Sequence, residues 1–181
     1  DGVNSNAAIA VSVQTSDYEP VDGSLALGGI AFQRRIESAA FRAGGDHYDV
    51  PVETVGDFLA GDRPVHMPGR VQPGYRGGEH FRLARMGDVL PDFACRNLAR
   101  GLRAFDRKRP GYAMPEAILS AAETRTSAPV RILRGEDFCA IGQPGLYPCG
   151  EGAGYAGGIT SAAVDGIRVA EAICARYAPV H

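Results

Sequence analysis

The stretch that most constrains this chain is Gly145–Tyr177, GLYPCGEGAGYAGGITSAAVDGIRVAEAICARY. It opens on a short apolar run, Gly145–Cys149, of the kind a buried strand has. Glycine then recurs at Gly150, Gly152, Gly154, Gly157 and Gly158. A helical pattern follows. Ile159, Ala163, Gly166, Ile167, Ala170, Ile173, Cys174 and Tyr177 share one face, and Ser161, Asp165 and Arg168 lie on the other. Strand, glycine turn and helix in that order bring a backbone close to a phosphate. Glycine clears side chains from the ligand's path, and the helix N-terminus offers unpaired N–H groups with partial positive charge. The small residues Ala162, Ala163, Gly166 and Ala170 predict close packing of this helix on a sheet. The plainer reading is a strand-to-helix turn that holds no ligand.

Gly152-x-Gly154-x-x-Gly157 matches the dinucleotide fingerprint G-x-G-x-x-G. That fingerprint opens a βαβ unit, with a second strand and an acidic residue about 20 residues on. Here the helix is the last pattern before His181, so the motif is expected to be the final strand and helix of a larger unit.

The segment Gly145–Ile173 resembles the C-terminal signature of FAD-dependent oxidoreductases of the two-dinucleotide-binding-domain type. It is most similar to the bacterial group described as uncharacterised NAD(FAD)-utilising dehydrogenases. Glu123–Ile132, ETRTSAPVRI, also resembles this group, as do Gly29–Arg34 and Val55–Gly61. The resemblance implies an FAD domain split in sequence. An N-terminal βαβ would hold the ADP half, and a C-terminal strand and helix would return beside it. It implies that Gly150 and Glu151 sit near the ribityl and pyrophosphate. It places Gly157, Gly158, Ile159 and Thr160 near the flavin pyrimidine ring, with Gly152 and Gly154 in the same cofactor turn. Arg125, in a loop with Thr124, Thr126 and Ser127, is a candidate at the flavin or the substrate. That loop reads equally well as a polar hairpin.

With 181 residues the chain fits one domain, or one domain and part of another. Its 24 glycines and 12 prolines predict long loops and short elements. A net charge of −2 gives no general case for nucleic acid or membrane binding. Cys95, Cys139, Cys149 and Cys174 form no C-x-x-C pair and no metal spacing with histidine. Separated thiols suit a reducing, cytoplasmic compartment, and no apolar run is long enough to span a bilayer. The chain begins at Asp1 and lacks a leading βαβ, which reads as a fragment of a longer protein.

In chain order, Ala7–Val13 reads as a strand and Asp17–Gly29 as turns. Ile30–Ala43 reads as a helix with Phe32, Ile36, Ala39, Ala40 and Ala43 inward, stopped by Gly44-Gly45. Val50–Val55 reads as a strand that Pro51 assigns to a sheet edge. Gly56–Ala60 reads as one helical turn, and Gly61–Gly78, with Pro64, as loop. Pro91–Asp106 is a second long helix with Pro91 in its first turn. Phe93, Ala94, Leu98, Leu102 and Phe105 form its inner side, and Arg96, Arg100, Arg103 and Arg107 a basic stripe. That stripe is either an anion- or partner-binding face or a solvated side whose stems cover apolar surface, the second being the default. Ile118–Glu123 and Val130–Arg134 read as strands.

No G-x-S-x-G elbow, phosphate-binding P-loop or H-E-x-x-H is present. His47, His66 and His80 lack ligand spacing, so no metal site and no catalytic residue is nominated. Flavin chemistry needs no protein nucleophile. The expectation is an α+β chain, with residues 1–122 the later part of a substrate-side domain and 123–181 completing an FAD domain. The parent would be an FAD-linked dehydrogenase acting on a small-molecule substrate, with NAD(P)H a possible electron donor. The chain itself would retain FAD poorly and could self-associate where its partner half-domain is missing. Two alternatives stand beside this: a binding or interaction module without activity, and a nicotinamide-binding Rossmann unit.

Overall fold

The protein is described here by a computed structural model covering residues 4–61, 65–74, 79–125 and 127–177. Its architecture is α+β, with five α-helices and a small mixed sheet among the described residues. The helices are α1 (Leu25–Ala43), α2 (Val55–Ala60), α3 (Met86–Val89), α4 (Asp92–Lys108) and α5 (Ile159–Arg176). The strands are β1 (Val50–Thr54), β2 (Phe81–Leu83) and β3 (Ile118–Ser120), in spatial order β2-β1-β3. The chain divides into two units. One holds the residues up to Asp17 together with Phe32–Ala122, and the other holds Tyr18–Ala31 with the residues from Glu123 onward.

The first unit contains the sheet. β1 pairs in parallel with β2 and antiparallel with β3, so β1 is central. Pro51 therefore does not mark an edge. The antiparallel register pairs Val52 with Ser120, which puts Pro51 opposite Ala121, just past the end of β3. The Ala121 N–H donates to the Pro51 carbonyl, and the N–H that proline lacks falls where the ladder has already stopped. Thr54 ends the strand and caps α2, its hydroxyl accepting the Asp57 N–H at 3.1 Å. Val52, Val55, Met86, Val89 and Leu102 are fully or nearly fully buried, and Phe32 stacks on Phe93 at 6.3 Å between centroids.

The inward face expected for α1 is the one observed, and Gly44-Gly45 ends the helix, Gly45 at φ +79°. The helix nevertheless begins five residues earlier than its periodicity suggested. Ser24 caps it by accepting the Leu27 N–H. Gly28 and Gly29 are not breakers but close-approach positions. A side chain on Gly28 would collide with the Glu19 carbonyl, and one on Gly29 would press on the Tyr18 hydroxyl. α4 starts at Asp92, with Pro91 as its cap residue rather than in its first turn. Its four stripe arginines are exposed.

Three expected strands are absent. Ala7–Val13 runs without a strand partner among the described residues, mostly exposed. Val130–Arg134 spreads its bonds over several segments. Ile132 N–H donates to Ala153, Arg134 N–H to the Tyr155 hydroxyl, and the Leu133 carbonyl accepts from Ile141. Gly145–Cys149 is broken by Gly145 at φ +85° and by Pro148. β2 and α3 had no sequence expectation, and Ile118–Glu123 forms only the three-residue β3. Pro64 and Thr126 lie outside the described residues. No helix among the described residues is long and apolar enough to cross a membrane.

Candidate functional site

The glycine turn is built from two left-handed positions, Gly150 at φ +68° and Gly154 at φ +83°. Between them the Gly154 N–H donates to the Glu151 carbonyl at 2.9 Å, and the Tyr155 N–H to the Gly150 carbonyl at 3.0 Å. The turn rests on the Val130–Arg131 backbone. A Cβ on Gly154 would lie 2.5 Å from the Val130 carbonyl oxygen, so Gly154 is required by the chain's own packing. Gly152 differs, with no heavy atom within 4 Å of the place its Cβ would take. Gly158 caps α5 in an extended conformation. Its N–H donates to the Ser161 hydroxyl, which donates back to the Gly158 carbonyl.

Behind the turn stands an ion pair that the helical pattern hid. Arg134 grips Asp165 of α5 with both terminal amino groups, at 3.0 and 2.5 Å, and donates to the Pro148 carbonyl at 2.6 Å. Asp165 also accepts the Gly150 N–H at 2.8 Å. The two side chains are only 9% and 14% exposed. The guanidinium, and next the Gly150 N–H, hold the Asp165 carboxyl at about 2, well below its ordinary 3.8. The same bond raises Arg134 further. Arg134 also lies over the Tyr155 ring, 3.6 Å from its centroid. Tyr155 in turn donates its hydroxyl to the Ile132 carbonyl at 3.0 Å.

These contacts correct the expected facing of α5. Asp165, assigned to the outer side, packs inward with Ala162, Gly166 and Val169, while Ile159 is 94% and Ile167 59% exposed. Ala163, Ala170 and Cys174 are exposed with them. Thr160 is exposed as well.

Beside the turn lies a cleft of about 430 Å³, lined by Ser127–Arg131 and Gly154–Gly157. It brings together two of the nominated glycines, Gly154 and Gly157. Gly150, Glu151, Gly152, Gly158, Ile159 and Thr160 are outside its lining, and Arg125 is an exposed residue two positions before Ser127. Arg131, Arg134, Tyr155 and Asp165 were not singled out by sequence. The signal for the first three was their position in an irregular segment and turn read instead as strand and spacer. As a cofactor cradle the turn has open space beside Gly152, and the cleft next to it has Arg131 in its lining. That set fits one end of a dinucleotide rather than the whole of it.

Elsewhere, Asp57 accepts both the ring Nδ1 and the backbone N–H of His66, each at 2.8 Å, and the backbone bond most of all lowers its carboxyl below the ordinary range. Glu53, 3% exposed in β1, accepts the Met86 N–H at 2.7 Å, and burial pushes its carboxyl upward. All four cysteines are free. Among the described residues no group of three or more His, Cys, Asp or Glu side chains is arranged to hold a metal.

A family model described as FAD-dependent protein, C-terminal domain-like matches residues 1–126. An uncharacterized protein of Clostridium beijerinckii is 48% identical over 174 residues, covering 96% of this chain and 32% of that protein. The chain thus spans about a third of that relative's length. An alignment of 174 residues takes in Gly150–Thr160 wherever it begins.

Proposed function

Since the chain belongs to the family described as FAD-dependent protein, C-terminal domain-like, we propose that it works as part of a flavin-dependent oxidoreductase of the two-dinucleotide-binding-domain type. The reaction class is flavin-mediated hydride transfer with a small-molecule substrate; where NAD(P)H is the electron donor it reduces the flavin, and the substrate is the group then reduced. In this reading the first 122 residues serve the substrate side, and residues 123–181 complete the FAD domain. The observation that carries it is the Gly150–Gly158 turn, braced from behind by Asp165, open at Gly152 and leading into α5.

FAD, when bound, supplies the redox step itself. The chain's residues then bind and orient. Gly150 and Glu151 hold the ribityl and pyrophosphate side. Gly157, Gly158, Ile159 and Thr160 meet the flavin pyrimidine side, where the first N–H groups of α5 favour negative charge. Arg125 faces the flavin or the substrate. Four free cysteines accord with a reducing, cytoplasmic setting.

The test uses the longer relative and this chain together. The Clostridium beijerinckii protein should retain flavin absorbance through gel filtration, and this chain should lose added FAD. A folded relative that carries no flavin and takes up none sinks the reading. A second reading, an interaction module, is favoured by the exposed apolar face of α5, Ile159, Ala163, Ile167 and Ala170. Self-association of the chain alone follows from either reading, so the module is supported only if the longer relative carries no flavin and still associates through this face, with the association lost in its counterpart of Ile167→Ser.

A further inference from the structure

Two arginines lie by the Tyr155 ring, and they are used differently. Arg134 has its terminal amino groups on Asp165 and the Pro148 carbonyl. Arg131, three residues earlier and exposed, donates its Nε–H to the Gly154 carbonyl at 2.9 Å, with its guanidinium carbon 5.1 Å from the ring centroid. Among the described residues its terminal amino groups meet no carboxylate and no other acceptor. The guanidinium is thus anchored at one nitrogen and beside one ring, while four N–H donors remain open. Arg131 is among the residues that line the 430 Å³ cleft, together with Ser127, Tyr155 and Gly157.

A planar fork fixed in place and unpaired matches the oxygens of a phosphate. The anchor has already removed part of the rotamer freedom that binding would otherwise cost. We propose that Arg131 is the phosphate-contacting residue of this cleft and that the group it takes is the diphosphate of a nucleotide cofactor. The identity of that cofactor as FAD rests on the reading above, with the diphosphate placed at Arg131 rather than at Gly150 and Glu151, which lie outside this cleft; the contact itself does not rest on that reading.

The experiment is a nuclear magnetic resonance titration of the full 181-residue chain with inorganic pyrophosphate, with FAD and with riboflavin, which has no phosphate. Pyrophosphate and FAD should both shift the amides of Gly154–Gly157, and riboflavin should not. Arg131→Gln, checked for native circular dichroism, should weaken pyrophosphate binding about tenfold, as loss of a charged hydrogen-bonding partner does. Should that variant fail to fold, the unmodified chain decides. Pyrophosphate should protect Arg131, and not the exposed Arg96, from phenylglyoxal, as mapped by mass spectrometry. Unchanged affinity in a folded Arg131→Gln chain, no response to pyrophosphate, or no protection of Arg131 each overturns the proposal. A flavin-free relative would remove FAD as the source and leave pyrophosphate binding at Arg131 intact.

Discussion

A methyl group added at Gly154 would press on the Val130 carbonyl and would also have to adopt φ +83°. Gly154→Ala should therefore destabilise the chain by about 2 kcal/mol, read as a lowered urea midpoint. Gly152→Ala meets open space and should leave the midpoint within about 0.5 kcal/mol of the parent. Equal effects would mean the turn is not seated as described. Asp165→Ala strands the Arg134 guanidinium in a mostly buried site and unpairs the Gly150 N–H. Breaking a buried pair from one side costs about 3 kcal/mol, so this variant should lose more stability than either glycine change. Because the folded-state carboxyl of Asp165 is depressed to about 2, its contribution is present above pH ~4 and lost as pH falls toward ~2. That titratable contribution is on the order of 1–2 kcal/mol, less than the cost of Asp165→Ala, which also strands the Arg134 charge. Acid unfolding of Asp165→Asn should show a smaller stability change across that window than the parent, and an identical acid profile would count against the pair.

At the level of elements, long periodic helices were legible and short polar-bonded segments were not. α1 and α4 have apolar residues recurring at three and four, and the central strand β1 has its β-branched residues, so pattern and packing agree except at Phe105, expected on the inner side of α4 and 42% exposed. α5 misled because its apolar stripe is real while its buried contact is ionic. Hydrophobic spacing cannot see that a buried arginine draws Asp165 inward. Val130–Arg134 and Gly145–Cys149 have strand-like composition, yet Arg134 and Pro148 are committed to the bracing behind the turn. Within the candidate site the glycine turn was legible, since glycine spacing needs no partner to be read. Its cation and its brace were not, because both arise from residues more than 20 positions apart. On α5, Val169→Ala should cost about 2 kcal/mol, since Val169 is 3% exposed. Ile167→Ser should be near neutral by thermal denaturation of the dilute chain. The reverse order would restore the facing that periodicity alone suggests.

For the whole molecule, the flavoprotein reading predicts weak affinity for FAD, because one turn supplies little of a site. A helix N-terminus contributes roughly 0.3–2 kcal/mol for an anion, against about 8 kcal/mol for micromolar binding. Titration calorimetry of this chain with FAD should show weak or no binding, and a submicromolar dissociation constant would show that the site is complete in itself. In the longer protein that the flavoprotein reading implies, Gly157→Val should remove bound flavin with little loss of fold, because a branched side chain would intrude on the cleft Gly157 lines. Full flavin content in that folded variant would count against the cleft.

Cys149 directly precedes the Gly150 turn and is exposed, as is Cys174 on the outer face of α5, whereas Cys139 is buried and Cys95 half-buried. Two accessible thiols per molecule can cross-link chains in air, and a crosslink through Cys174 would join molecules at the same face that the exposed isoleucines present. A covalent aggregate formed in storage would then imitate apolar self-association in every scattering experiment. Work on the assembly of this protein needs reductant throughout, or Cys149→Ser and Cys174→Ser together, before any concentration dependence is read as docking.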